Sequence, residues 1–159
     1  MTLARTPSQT VGPYYAIGLC RRTQSVLAAD GVSLTGQLLD GEGVPIPDAV
    51  IELWDPAGDR WGRCGTHPEG SFAFTVGKPA ARDGAAPHLL VYVFARGLLK
   101  HQLTRIYFPD EAAANAADPV LAALPEERRT TLVATDDGAV GLRFDIRMQG
   151  PDATVFFAT

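Results

Sequence analysis

From Val32 to Phe157, short alternating apolar runs are each closed by a turn of Gly, Pro or Asp, which leaves little room for long helices. Val32–Leu39 alternates and runs into the turn Asp40-Gly-Glu-Gly43. Residues 49–54 form a second run, ended by Asp55-Pro-Ala-Gly58, and residues 60–64 a short third. Ser71–Val76 follows the turn at His67-Pro-Glu-Gly70 and sets Phe72 and Phe74 on one face. His88–Phe94 is the most apolar run, and its β-branched and aromatic content suits a central strand. Residues 102–108 alternate. Residues 141–148 do so throughout, with Leu142, Phe144, Ile146 and Met148 on the core side, and residues 154–157 are expected as a last strand. Pro45 and Pro47 hold residues 44–47 extended but outside any central ladder. The 16 glycines and 12 prolines exceed ordinary usage in the same sense. The pattern predicts an all-β fold, a two-sheet β-sandwich of seven or eight strands.

A length of 159 residues fits one domain, 1–159. Residues 31–159 make the sandwich and residues 1–30 an N-terminal arm without clear period. Within the arm, two prolines and a glycine make residues 6–15 an extended stretch with a turn. Such an arm gains stability only by lying on something, either its own sandwich or a neighbouring subunit. Short helical turns are expected in the loops. Residues 110–117 suit a helix with Asp110 near its N-cap, and residues 125–132 one that opens on Pro125, while Pro119 confines the stretch between to a single turn.

Formal net charge is −4 and no basic run exceeds two residues, which argues against nucleic acid or an anionic membrane as partner. No apolar stretch is long enough to span a bilayer, and the N-terminus lacks an apolar signal region, so a cytoplasmic location is expected. Cys20 and Cys64 are read as two reduced, buried thiols. The three histidines lie on separate elements without metal-binding spacing. His67 is expected in a solvated turn, His101 in a surface or interface loop, and His88 half-buried at the start of the central run. There is no nucleophile elbow and no phosphate-cradling glycine loop. By site chemistry alone the chain is poor in catalytic groups.

An ordered set of motifs is more telling. Thr6-Pro-Ser-Gln-Thr-Val-Gly-Pro-Tyr14, Ile51-Glu-Leu-Trp54, Ala86-Pro-His88, Phe94-Ala-Arg-Gly97, Thr104-Arg-Ile-Tyr-Phe108, Arg143-Phe-Asp-Ile-Arg147 and the tail from Gly150 to Phe157 follow one another along nearly the whole chain. In this set the sequence resembles the intradiol ring-cleavage dioxygenases, specifically the α-type subunit of a two-subunit member, with a shortening between Trp54 and Trp61. The resemblance implies a β-sandwich, an αβ protomer repeated in a higher-order oligomer, and Fe(III) held by two tyrosines and a His-x-His pair. His88 falls where the first histidine belongs, but Leu90 takes the second place, and no tyrosine lies between Tyr15 and Tyr92. The resemblance therefore implies that Fe(III) is carried by a homologous, iron-binding β subunit. This chain, inactive alone, would complete the pocket for an aromatic dihydroxy acid and O₂.

The pocket-lining positions carried over are Thr10, Gly12, Pro13, Tyr14 and Arg96. A guanidinium leaving a strand into a glycine turn suits a carboxylate. Gly12-Pro13 permits close backbone approach to a flat ring. Arg96 as a solvated charge and Tyr14 as an interface anchor are the plainer readings. Two other functions stay open at this point: a transthyretin-like binding module without enzymatic partner, and a self-sufficient iron dioxygenase with atypical ligands.

Overall fold

Alternation becomes two sheets in the computed structural model, which describes residues 3–158. The strands are β1 (Val32–Leu39), β2 (Val50–Asp55), β3 (Arg60–Gly65), β4 (Ser71–Val76), β5 (His88–Phe94), β6 (Gln102–Tyr107), β7 (Thr135–Asp136), β8 (Leu142–Arg143) and β9 (Ile146–Arg147). One sheet runs β4-β1-β8-β7, with β9 also on β1; the other runs β3-β2-β5-β6. The second sheet is antiparallel throughout, whereas β1 takes β4 antiparallel and both β8 and β9 parallel. Leu34, Leu38, Phe72, Phe74 and Val76 of the first sheet meet Ile51, Leu53, Leu89, Val91, Val93 and Ile106 of the second in one buried core. Each such side chain contributes roughly 1.5–3 kcal/mol by leaving water.

The short helices lie outside the sheets: α1 (Tyr14–Leu19), α2 (Ala112–Ala117), α3 (Pro119–Ala122) and α4 (Glu126–Arg129). Ala114 of α2 packs against, and Leu121 of α3 joins, a smaller cluster with Ala86, Tyr107 and Leu132. No helix among the described residues is long and apolar enough to cross a membrane.

Four local expectations are corrected. The run 141–148 is not one strand. Phe144 N still donates to Thr35 O, at 2.8 Å, but the Asp145 carboxylate accepts from Gln37 N where a backbone carbonyl would otherwise do so. The ladder therefore breaks between β8 and β9. Residues 154–157 make a single bridge, Phe157 to Leu103, because the Thr104 hydroxyl takes the Val155 carbonyl. Asp110 does not cap α2. Its carboxylate pairs with Lys78, and Glu111 occupies the cap position without a side-chain bond. The arm is not extended throughout, since it turns into α1 and then a 3₁₀ turn, Arg22–Ser25. Beyond that turn it docks on its own sandwich, where Leu27 N donates to Thr75 O at 2.8 Å and the Leu27 side chain packs on the core.

Gly36 sits where β1 crosses the broken strand. A Cβ there would overlap the carbonyl of Phe144 and the ring of Phe72, and the backbone carbonyl cannot rotate away. Gly36→Ala is expected to cost about 1–3 kcal/mol of unfolding free energy in urea denaturation; a change below about 0.5 kcal/mol would show that the crossing adapts.

Candidate functional site

Three groups of chemistry-bearing side chains surround the ends of β5. At its C-terminal end the chain turns through Ala95 to Leu98, with Leu98 N donating to Ala95 O and Gly97 at φ +88°. Only glycine adopts that backbone without strain. The Gly97 N–H donates to Thr10 Oγ1 at 2.8 Å, which fastens the arm to this turn. Gly12 and Pro13 follow at the start of α1, where Tyr15 N donates to Gly12 O. Tyr14 is 81% exposed and Ile17 71%, so the arm's outer side is apolar. Its inner side packs Tyr15 on Phe94, which with His101 helps line a cleft of about 490 Å³.

Arg96 projects from the same turn but lies in a different cleft, of about 430 Å³, with Ile46, Gln102 and Met148. It is 54% exposed, and among the described residues its one ion pair is to Asp48, at 3.7 Å. That distance is too long for a hydrogen bond, so the guanidinium keeps its donors. The structure thus brings Thr10 against the residue next to Arg96, while the Arg96 side chain itself leaves in another direction.

His88, at the other end of β5, is half-buried, with Nδ1 2.8 Å from the Ala86 carbonyl and its ring 5.4 Å from that of Tyr107. Burial, with a further contribution from the Arg105 charge, pushes its pKa below the ordinary histidine value. Its neighbour on the same strand face is Leu90, and Arg105 stands opposite Leu90 on β6. Tyr107 is buried, and burial pushes its hydroxyl up to about 12, away from tyrosinate. Among the described residues no three or more His, Cys, Asp or Glu side chains form a metal-holding group. An aliphatic neighbour, a cation and a phenol held protonated do not make a ferric donor set. His101 lies just before β6, half-buried between Tyr92 and Phe94, and His67 is exposed in its turn. Cys20 and Cys64 are free thiols, half-buried rather than buried.

One residue escaped the reading of the sequence. Asp118 is fully buried, and its carboxylate accepts from Ala86 N at 2.9 Å, Tyr107 Oη at 3.1 Å, and Val120 N and Leu121 N at 2.9 and 3.0 Å. The signal was present as Asp118-Pro119, an N-cap acid before proline at the first helical position.

Comparison with known proteins places this geometry in context. No family model matches. The chain is 46% identical to the protocatechuate 3,4-dioxygenase alpha chain of Burkholderia cepacia, over 98% of each chain. It is 36% identical to the protein of the same name from Pseudomonas putida, over 98% of this chain and 96% of the relative. Among solved structures, an intradiol ring-cleavage dioxygenase from Tetranychus urticae superposes with a TM-score of 0.57 at 16% identity. That match covers 82% of this chain and 88% of the other, a likeness of fold.

Asp118 is buried, which by itself would raise its pKa, but the donors from Leu121, Ala86, Tyr107 and Val120 outweigh burial and hold it below the ordinary 3.8. The folded carboxyl thus ionises at lower pH than the unfolded one. Its stabilisation is complete above the unfolded value and lost as pH falls through the folded one. Asp118→Ala is expected to cost about 3 kcal/mol or more at neutral pH by urea denaturation, because buried donors lose their acceptor. The difference from the parent should shrink below pH 4. A difference that is small, or constant down to acid pH, would mean that the carboxylate holds nothing.

Proposed function

We propose that the chain, which belongs to the intradiol ring-cleavage dioxygenase family and is similar over nearly its full length to two protocatechuate 3,4-dioxygenase alpha chains, works as the half of a catalytic pair that does not carry iron. Full-length similarity to two alpha chains is the observation that carries this reading. The partner is a homologous β subunit holding non-haem Fe(III), and αβ units repeat in a larger oligomer. The ferric ion supplies activation of the bound catecholate toward O₂. The complex opens 3,4-dihydroxybenzoate between its two hydroxyls, and both oxygen atoms of O₂ enter the product, 3-carboxy-cis,cis-muconate.

This chain's own residues bind and orient. The arm, with Thr10, Gly12, Pro13 and Tyr14, closes one side of the partner's pocket, and its exposed Tyr14 and Ile17 supply apolar area for the contact. The Thr10 to Gly97 bond fixes the arm against the turn that carries Arg96, whose side chain opens on the neighbouring cleft. Arg96, loosely paired and with its donors free, exchanges Asp48 for the carboxylate of the aromatic acid. The whole chain, 1–159, acts as one domain, arm included. The binding-module alternative gives no account of full-length similarity to enzyme subunits. The self-sufficient iron enzyme is disfavoured by the donors around His88, where Tyr107 is protonated and Arg105 cationic.

Replacing Arg96 with alanine in the assembled enzyme tests the orienting role. A charge-assisted contact is worth about 1.5–3 kcal/mol, so kcat/KM for the carboxylated substrate should fall roughly ten- to a hundredfold while catechol changes little. Equal losses on both substrates, at matched iron content, would assign Arg96 to the subunit contact instead.

A further inference from the structure

The outer face of the second sheet carries a cleft of about 410 Å³ that the function above does not employ. Cross-strand pairing sets Leu90 of β5 opposite Arg105 of β6, and Pro56, Pro119 and Val120 add apolar surface around them. The Arg105 side chain is held from two sides. Nη1 donates to Tyr107 Oη at 3.0 Å, and the guanidinium carbon sits 5.5 Å over the Phe157 ring. Among the described residues its remaining donors have no acceptor, and no carboxylate lies within ion-pair distance. Asp118, next along the Tyr107 hydroxyl, already accepts four bonds.

The other polar side chains that line the cleft each have at least one protein partner. Arg82 donates to Asp83 and to the Pro56 carbonyl, which also accounts for the one acidic group at the rim. His88 turns Nδ1 toward Ala86 O, and burial together with Arg105 favours its neutral form. What remains is one held guanidinium with no direct carboxylate partner among the described residues, set among apolar walls in a space within the usual range for small-molecule sites. A planar fork of donors matches a carboxylate in two bonds, and the walls match a flat ring better than a hydrated inorganic anion.

We propose that this cleft binds a flat aromatic monocarboxylate of benzoate size, with the carboxylate on Arg105 and the ring against Leu90, Pro119 and Val120. The site is complete within this chain and independent of the role given to Arg96.

The test is a titration of the full-length ¹⁵N-labelled chain with sodium benzoate, followed by NMR. Saturable shifts are expected at the amides of Leu90, Arg105 and Val120, and benzamide, the neutral isostere, should bind at least about tenfold more weakly. Arg105→Met and Leu90→Trp should each abolish the response, the second by filling the cleft while leaving the Arg105, Tyr107 and Asp118 bonds intact. Arg96→Ala should leave it unchanged. If Arg105→Met loses the dispersed spectrum of a folded chain, Leu90→Trp decides alone. The proposal is overturned by an absence of saturable shifts, by equal binding of benzamide, by survival of the response in Leu90→Trp, or by its loss in Arg96→Ala.

Discussion

A single buried carboxylate ties together the elements on which everything else rests. Asp118 joins the entry to β5 through Ala86, the end of β6 through Tyr107, and the first turn of α3 through Val120 and Leu121. An ionised acid in such a place is tolerable only when its lone pairs are filled, and here four donors do so. The Arg105 guanidinium, one hydroxyl away, adds a compensating charge. This junction fixes where His88 begins the central strand and where Arg105 emerges opposite Leu90. Its rigidity is what gives the outer face of the sheet a defined shape.

At the opposite end of β5 the constraint is looser and of a different kind. One backbone donor, Gly97 N–H, meets one side-chain acceptor, Thr10 Oγ1, and among the described residues the arm before α1 makes little other polar contact with the body. Such a joint costs little to remake. It suits a segment whose outer side, at Tyr14 and Ile17, is too apolar to stand in water unaided. In the proposed reading the sandwich sets the position of Arg96, and the lightly fastened arm completes a surface against the partner.

Much of this was legible in the sequence, for physical reasons that differ by element. Val32–Leu39, Ser71–Val76 and His88–Phe94 have the bounds that alternation and turn residues dictate, because burial against the facing sheet and local propensity agree there. The break at Asp145 was invisible, since a side chain standing in for a backbone acceptor leaves the apolar period of 141–148 untouched. Asp110 looked like a cap, but a lysine 32 positions away took its carboxylate, a tertiary contact that no local pattern carries. Family membership was legible because its motifs lie in order along the chain, and the two alpha-chain relatives bear it out over the full length. The Thr10 to Gly97 bond and the Arg105 cleft were not, because each joins residues distant in sequence.

The central claim is that iron chemistry belongs to the pair and not to this chain. Its most direct measurement is metal analysis with visible absorption and ring-cleavage assay, on the chain purified alone and on the chain co-expressed with a homologous β subunit. The account predicts a colourless, inactive chain that holds no stoichiometric iron, and a coloured, active complex with about one ferric ion per αβ pair. A chain that by itself retains near-stoichiometric iron, absorbs in the visible and cleaves 3,4-dihydroxybenzoate would contradict it.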